Sequence, residues 1–459
     1  MTLRAIAGVA LFDLFQLAVG MCLLLVLRGW RTWGELAHLA GLAYLLGVAA
    51  TGVAFTLELV VGIDLSLLTV LVTGALLAAG GVGIGLELGR RLPRRPSPVL
   101  PKGSLLVAVP AALSIVCLEA FFRAGRLAAL TEFDAWSFWV PKAKAIYYYG
   151  GLDGQFFREL PGPAYPPLVP AHEAAAFQFI GSADVVTLHL LFWSLLVGFV
   201  VAVAGLLRQR VRGLLVWPPL LLLLVTPHVL GYALQAQADF LLDELLAVAG
   251  LLLGLWLLER QAWQLVSAGV LLAAEMSTKR EGYLLAACVL VAALAASVRE
   301  LRTAWPRLAL TGAAAVAMTL PWRIHLATRD LGGGGPEAGG FGLFSHLGRA
   351  SPSLRLALST MFDYQVWLVV APLALVSVAL ALLAGARRIG VFAGLAFILL
   401  TAGFTWITWS FPSLPITKEA ALNPIVRVTG SLILLSVALM PLQLAAAWNR
   451  PAAPTGREA

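Results

Sequence analysis

The residues best suited to chemistry fall in a few short stretches set among long apolar runs. The richest is 131–170, TEFDAWSFWVPKAKAIYYYGGLDGQFFRELPGPAYPPLVP, which gathers acids, lysines, aromatics and prolines. Such a segment is incompatible with hydrocarbon. Within it, Glu132 and Asp134 stand beside Phe133, Trp136 and Trp139. A carboxylate at a membrane boundary, partly desolvated by rings, is suited to general-base work. The same residues also fit an interfacial belt in which Trp and Tyr sit at headgroup level and the acids stay wet. Lys142 and Lys144 follow Pro141, with Ile146 to Tyr149 as an apolar face. That pattern predicts a short helix lying in the interface, its lysines on lipid headgroups or on one bound phosphate.

Three other stretches carry charge at the edge of apolar runs. In the first, Gln235, Gln237, Asp239, Asp243 and Glu244 cluster. Asp239 and Asp243 are four apart, so on a helix they share a face and repel unless wet or holding a cation or substrate hydroxyls. A wet helix end suits Asp243 and Glu244; Asp239, after its polar glutamines, is the stronger candidate. In the second, Lys279, Arg280 and Glu281 interrupt an otherwise apolar region. Three charges there are costly unless they face water, a cavity or each other. Glu275 and Lys279 have i,i+4 spacing, and the turn reads either as a short exterior hairpin or as an anion site. The third is Arg427 at the start of the last apolar run, either a snorkelling helix-end arginine or a fork matched to phosphate oxygens.

Other chemistries lack their residues. The histidines are isolated, and no His/Cys spacing suggests zinc. Neither a P-loop nor a dinucleotide-binding glycine fingerprint is present. Cys22, Cys117 and Cys288 all fall inside apolar runs and read as inert core thiols. The net charge of +8 is spread over short loops, which does not point to nucleic acid.

The elements that must position these residues are membrane helices. The chain is 60% hydrophobic and 12% charged, about half the charge share of a soluble protein, with mean hydropathy +0.89. Recurrent apolar runs of about 18 or more residues predict an all-α polytopic membrane protein with about thirteen spans. These fall near 5–27, 36–57, 65–88, 103–122, 185–207, 214–234, 244–258, 263–278, 282–298, 308–322, 366–386, 391–410 and 428–448. The arginines at 28–31, 90–95, 208–212, 299–307 and 387–388 fall on one side in this count, which the positive-inside rule makes cytoplasmic together with the C-terminal tail. Every long loop, including 332–336 (GGGGP), and most acids fall on the exoplasmic side. The expected organisation is an N-terminal extension of about three spans (1–102), a membrane core (103–323) with a first exoplasmic loop at 123–184, a flexible exoplasmic loop (324–365), C-terminal spans (366–448) and a cytoplasmic tail (449–459). The expected location is the cytoplasmic membrane.

Taken together, these pieces resemble the GT-C class of polytopic glycosyltransferases, which use polyprenyl-phosphate sugars. Asp134-Ala135-Trp136-Ser137-Phe138-Trp139, with Lys142-Ala143-Lys144 and Tyr165-Pro166-Pro167-Leu168-Val169-Pro170, is similar to the first exoplasmic loop of bacterial members. Ala238-Asp239-Phe240-Leu241 resembles their second acidic position. Thr278-Lys279-Arg280-Glu281-Gly282 is similar to a Thr-Lys-Asn-Glu-Gly turn, with Arg280 replacing Asn. Arg427 matches an arginine that meets the donor phosphate. In this chain three additional spans precede the first loop, a departure from the family pattern.

The resemblance implies transfer of a sugar, with inversion, to a glycan, lipid or protein acceptor. Asp134 would be the general base, and Asp239 with Glu132 would serve the acceptor or a divalent cation. Lys279, Arg280, Arg427, Lys142 and Lys144 would hold the donor phosphate, while Trp136, Trp139 and Tyr165 stack on sugars. A transporter or flippase of lipid-linked sugars, a non-catalytic membrane subunit and an O-antigen ligase-type enzyme are the competing readings.

Overall fold

The computed structural model describes residues 1–30, 32–90, 105–152, 154–160, 162–329, 346–410, 416 and 418–448, and every regular element among them is helical. Four long helices open the chain: α1 (Leu3–Leu27), α2 (Trp33–Val60), α3 (Leu67–Glu87) and α4 (Leu105–Gly125). A π-helical turn (Ala135–Trp139) then leads into three short helices, α5 (Val140–Tyr149), α6 (Gly154–Glu159) and α7 (Leu168–Ile180). The central group is α8 (Val185–Leu207), α9 (Gly213–Leu224), α10 (Pro227–Ala233), α11 (Ala238–Glu259), α12 (Ala262–Thr278), α13 (Glu281–Ala296) and α14 (Leu301–Arg329). The chain closes with α15 (Ala350–Met361), α16 (Tyr364–Trp367), α17 (Val370–Leu383), α18 (Arg387–Ser410) and α19 (Lys418–Trp448).

This is a polytopic helical membrane protein. Among the described residues eight helices are long and apolar enough to cross a bilayer, and up to ten spans result if each of two bent pairs counts as one. The bends, of 73° and 74°, separate α9 from α10 and α13 from the helical stretch that ends in α14. A helix covers each of the thirteen expected windows, but length does not carry them all across. α12 and α17 run 17 and 14 residues. At 1.5 Å per residue both fall short of an apolar core about 30 Å thick. The first bend has a plain cause, since Pro227 opens α10 and can accept no place in the preceding ladder.

Burial sorts the helices. α11 is apolar and enclosed nearly all round, the mark of a helix at the centre of a bundle. α4 exposes Leu105, Leu106, Val109, Leu113, Ile115 and Val116, which is tolerable only against lipid. The first two helices are no appendage. α2 is buried against α1, α7, α8 and α12, so the expected N-terminal extension is continuous with the core.

The α1–α2 crossing depends on two glycines. A Cβ on Gly20 would lie 1.6 Å from the Ala43 carbonyl oxygen, and one on Gly47 would lie 1.9 Å from that of Gln16. The backbones therefore touch, as small residues allow in membrane helices. Beside the contact, the Thr51 hydroxyl donates to Gln16 Oε1 at 2.7 Å. The loop after α2 then secures the connection between α4 and α8: the Leu65 N–H donates to the Gly150 carbonyl at 2.6 Å, and Gln178 Nε2 donates to the Leu65 carbonyl at 3.1 Å.

The opposite end of the bundle collects arginines. Arg28 pairs with Glu35 at 2.5 Å, Arg210 with Glu259, and both Arg260 and Arg388 with Glu300. Arg260 also lies 4.3 Å from the centre of the Trp256 ring.

Gly47→Ala should destabilise the protein by about 1–3 kcal/mol through overpacking, read as a lower thermal-unfolding midpoint of detergent-purified protein. Gly80→Ala, where a Cβ meets nothing within 4 Å, is the matched control and should be neutral. Equal midpoints for the two variants would contradict the close crossing.

Candidate functional site

The site is built at the end of the bundle where α4 releases the chain and where α11 begins. Here the helix α12 stops at Thr278, and Lys279 takes extended backbone (φ −146°, ψ 160°) before Arg280 starts α13. The reversal is tight: a Cβ on Gly282 would lie 2.6 Å from the Glu275 carbonyl oxygen. Only glycine lets α13 fold back this closely. The turn thus holds Lys279 inward, with its side chain only 8% exposed.

Asp239, in the first turn of α11, receives that lysine. Lys279 Nζ donates to Asp239 Oδ1 at 2.9 Å, with the carboxylate 4% exposed, and Glu281 Oε1 lies 3.7 Å away. The expected Lys279–Glu275 pair does not form, because α12 ends before Lys279 and turns its side chain toward α11. The Glu275 carboxyl is instead fully enclosed.

Tyr165 brings the first loop to the same lysine. Lys279 Nζ lies 5.6 Å from the centre of the Tyr165 ring. Tyr165 in turn stacks on Phe138 at 5.9 Å and 11°, and meets Trp139 at 5.4 Å. Three sequence-selected residues, Tyr165, Asp239 and Lys279, therefore meet although they come from three separate segments.

The loop's other candidates divide. Asp134 is half-buried at the mouth of the π-helical turn, a local widening often found at functional positions. Glu132 accepts from Gln235 Nε2 at 2.9 Å, and Gln237 Nε2 donates to Gln235 Oε1 at 3.3 Å. The first loop is thereby tied to the segment that starts α11. Trp136 is 52% exposed and packs edge-on against Phe133. Trp139, at 1% exposure, belongs to the loop's own core, so its ring face is already occupied.

Lys142 corrects the expectation of an interfacial lysine. It is buried, donates from Nζ to the Gly162 carbonyl at 2.6 Å, and sits among Phe138, Trp139 and Phe157. Those contacts fold the loop onto itself and keep this ammonium from lipid headgroups. Lys144 is only half-buried. Arg427 lies within α19, one turn before Ser431, and its side chain is outside the described residues, as are 91–95 and 332–336.

Sequence reasoning missed the second layer. α11 starts six residues before the expected span, at Ala238 rather than 244, so Asp243 and Glu244 are buried instead of wet. Tyr232 and Ser431 each donate to one Asp243 oxygen, joining α10, α11 and α19 beneath Asp239. Trp367 Nε1 extends the join by donating to Thr429 Oγ1 at 3.1 Å. The i,i+4 spacing of Asp239 and Asp243 was the available signal: one acid takes the ammonium, the next takes two hydroxyls.

A divalent cation held by Asp134 and Asp239 would compete with the Lys279 ammonium for the Asp239 carboxylate. Among the described residues no group of three or more His, Cys, Asp or Glu is placed to hold a metal, and Asp239 is engaged by Lys279. No protein-family model, curated protein or solved structure matches this chain.

Removing one partner of the Asp239–Lys279 pair leaves a charge in an apolar bundle. Asp239→Asn and Lys279→Met should each cost about 3–5 kcal/mol. The double variant should recover about 1–3 kcal/mol relative to their sum. Denaturation of the four proteins in matched detergent checks this, and strict additivity would show that the pair is not coupled.

Proposed function

We propose that this chain is a membrane glycosyltransferase that moves a hexose or pentose from a polyprenyl-phosphate donor to an acceptor hydroxyl, on a glycan, lipid or protein, at the exoplasmic face. The observation that supports it most is the meeting of Tyr165, Asp239 and Lys279 at one bundle end. It joins an acidic, aromatic loop to a cationic turn, the two halves that transfer from a lipid phosphate requires. In this reading all thirteen helical windows cross the cytoplasmic membrane, the short α12 and α17 being carried by the longer helices packed around them, the GT-C-like loops face outside and the tail is cytoplasmic.

Asp134 acts as the general base. Its carboxylate accepts the proton of the acceptor hydroxyl as that oxygen attacks the anomeric carbon. The new glycosidic bond forms as the bond from the anomeric carbon to the phosphate oxygen breaks, with inversion. The electron pair leaves with the polyprenyl phosphate. Lys279, Arg280 and Arg427 stabilise the charge that builds there, the electrostatic contribution that outweighs most others in transfer reactions. Asp239 orients the Lys279 ammonium, and its acid–base pairing keeps the cation tolerable before the donor arrives. Glu132, held by Gln235, borders the acceptor side. Trp136 offers an exposed face for a sugar, and Tyr165 a partly exposed one.

A second reading, a transporter or flippase for lipid-linked sugars, draws on one specific observation. The carboxyls of Glu244 and Glu275 are enclosed within the bundle and have no hydrogen-bond partner among the described residues. Ionisable groups at membrane depth are a frequent mark of coupled transport.

Asp134→Asn should lower sugar transfer from a radiolabelled polyprenyl-phosphate sugar by about 10²–10⁴-fold, while expression, membrane insertion and thermal stability stay at wild-type levels. Full transfer by this variant would remove Asp134 from the role of base.

A further inference from the structure

In the turn that the sequence marks as cationic, Lys279 is balanced by two acids, Asp239 of α11 and Glu281 of the turn itself. Lys279 faces Asp239 at 2.9 Å and Glu281 at 3.7 Å, so an anion arriving beside it is favoured by positive charge from another element. α14 supplies it. Near its end, Arg323 is half-buried and donates from Nε to the Tyr283 hydroxyl at 3.2 Å, with its guanidinium carbon 4.7 Å from the centre of that ring. The Tyr283 hydroxyl donates in turn to Thr319 Oγ1 at 2.6 Å, one turn back on α14. Tyr283 follows directly on the Lys279–Gly282 turn, and its N–H donates to the Arg280 carbonyl at 3.2 Å.

The neighbouring residue of α14 fixes the same end to the loop. Trp322 and Leu326 are buried against Ala164, which precedes Tyr165, the ring that faces Lys279. α14 thus touches both halves of the site through adjacent residues. Arg323 forms no ion pair among the described residues, and its two terminal nitrogens carry no hydrogen bond there. An arginine held at Nε by a tyrosine, half-buried and in no ion pair among the described residues, matches a phosphate oxyanion in shape and charge.

We infer that Arg323, positioned by Tyr283, is a phosphate-binding residue of this site and adds positive charge beside the acid-paired Lys279. The inference deepens the proposed function and takes from it the lipid-linked source of the phosphate. The ligand chemistry itself, a phosphate oxyanion, is shared by a polyprenyl phosphate and by free phosphate.

The test measures binding of undecaprenyl monophosphate, undecaprenol and inorganic phosphate to the full chain in nanodiscs of uncharged lipid. Arg323→Gln should weaken undecaprenyl monophosphate binding by about 10- to 100-fold and leave undecaprenol binding unchanged. Arg323→Lys should fall between, and Tyr283→Phe, which keeps the arginine, should weaken binding several-fold. Parallel loss for the phosphate and the alcohol would reveal a merely structural role and overturn the inference, as would unchanged phosphate affinity in Arg323→Gln; neither result bears on the proposed transfer. Arg323-dependent binding of inorganic phosphate with none of the lipid phosphate would support the anion site and contradict the lipid-donor reading. No phosphate binding of either kind by the wild type would overturn both.

Discussion

An ammonium enclosed in an apolar bundle must be matched by a carboxylate, and the pairing of Lys279 with Asp239 is the constraint on which the rest of this site rests. It holds the start of α11 against the reversal between α12 and α13, and it offers its open side to the Tyr165 ring. Each partner alone would carry a desolvation penalty of several kcal/mol per ion. Together they define where the loop from α4 must sit. Tyr165 sets Phe138 and Trp139, these set Lys142, and Lys142 closes the loop on the Gly162 carbonyl.

The layer beneath gives the pair its rigidity. Asp243 takes hydroxyls from Tyr232 and Ser431, so α10, α11 and α19 cannot slide independently. α19 carries Arg427 one turn nearer its start than Ser431, in the same way that α11 carries Asp239 one turn before Asp243. From the other side, α1 and α2 cross at glycine-to-carbonyl contact and hold α7 and the end of α5. The helices that precede the first loop therefore act as its foundation.

Much of this was legible in the residues. Apolar runs announce membrane helices because no other element satisfies the backbone in lipid, and a helix lies over each expected window. Charge stranded near hydrocarbon picked out Asp239 and Lys279, since its cost must be met by a partner. The partner itself was not legible: periodicity favoured Glu275 for Lys279, but the helix ends one residue too early for that pair. Nor was the burial of Lys142, which depends on the Gly162 carbonyl and three rings converging from separate turns. The burial of Asp243 and Glu244 is not legible either, because the start of a helix inside polar sequence is set by packing rather than by composition. The number of crossings is equally a tertiary matter, since helices as short as α12 and α17 acquire their place from neighbours.

We propose that this bundle end breaks a bond between a sugar and a lipid phosphate rather than carrying the intact molecule across. The direct measurement is mass spectrometry of the lipid products after purified protein in proteoliposomes is incubated with a panel of polyprenyl-phosphate hexoses and pentoses and an acceptor extract. Free polyprenyl phosphate should be released in equal amount to sugar transferred, for at least one donor. Intact donor recovered on the opposite leaflet, with no polyprenyl phosphate released, would contradict it.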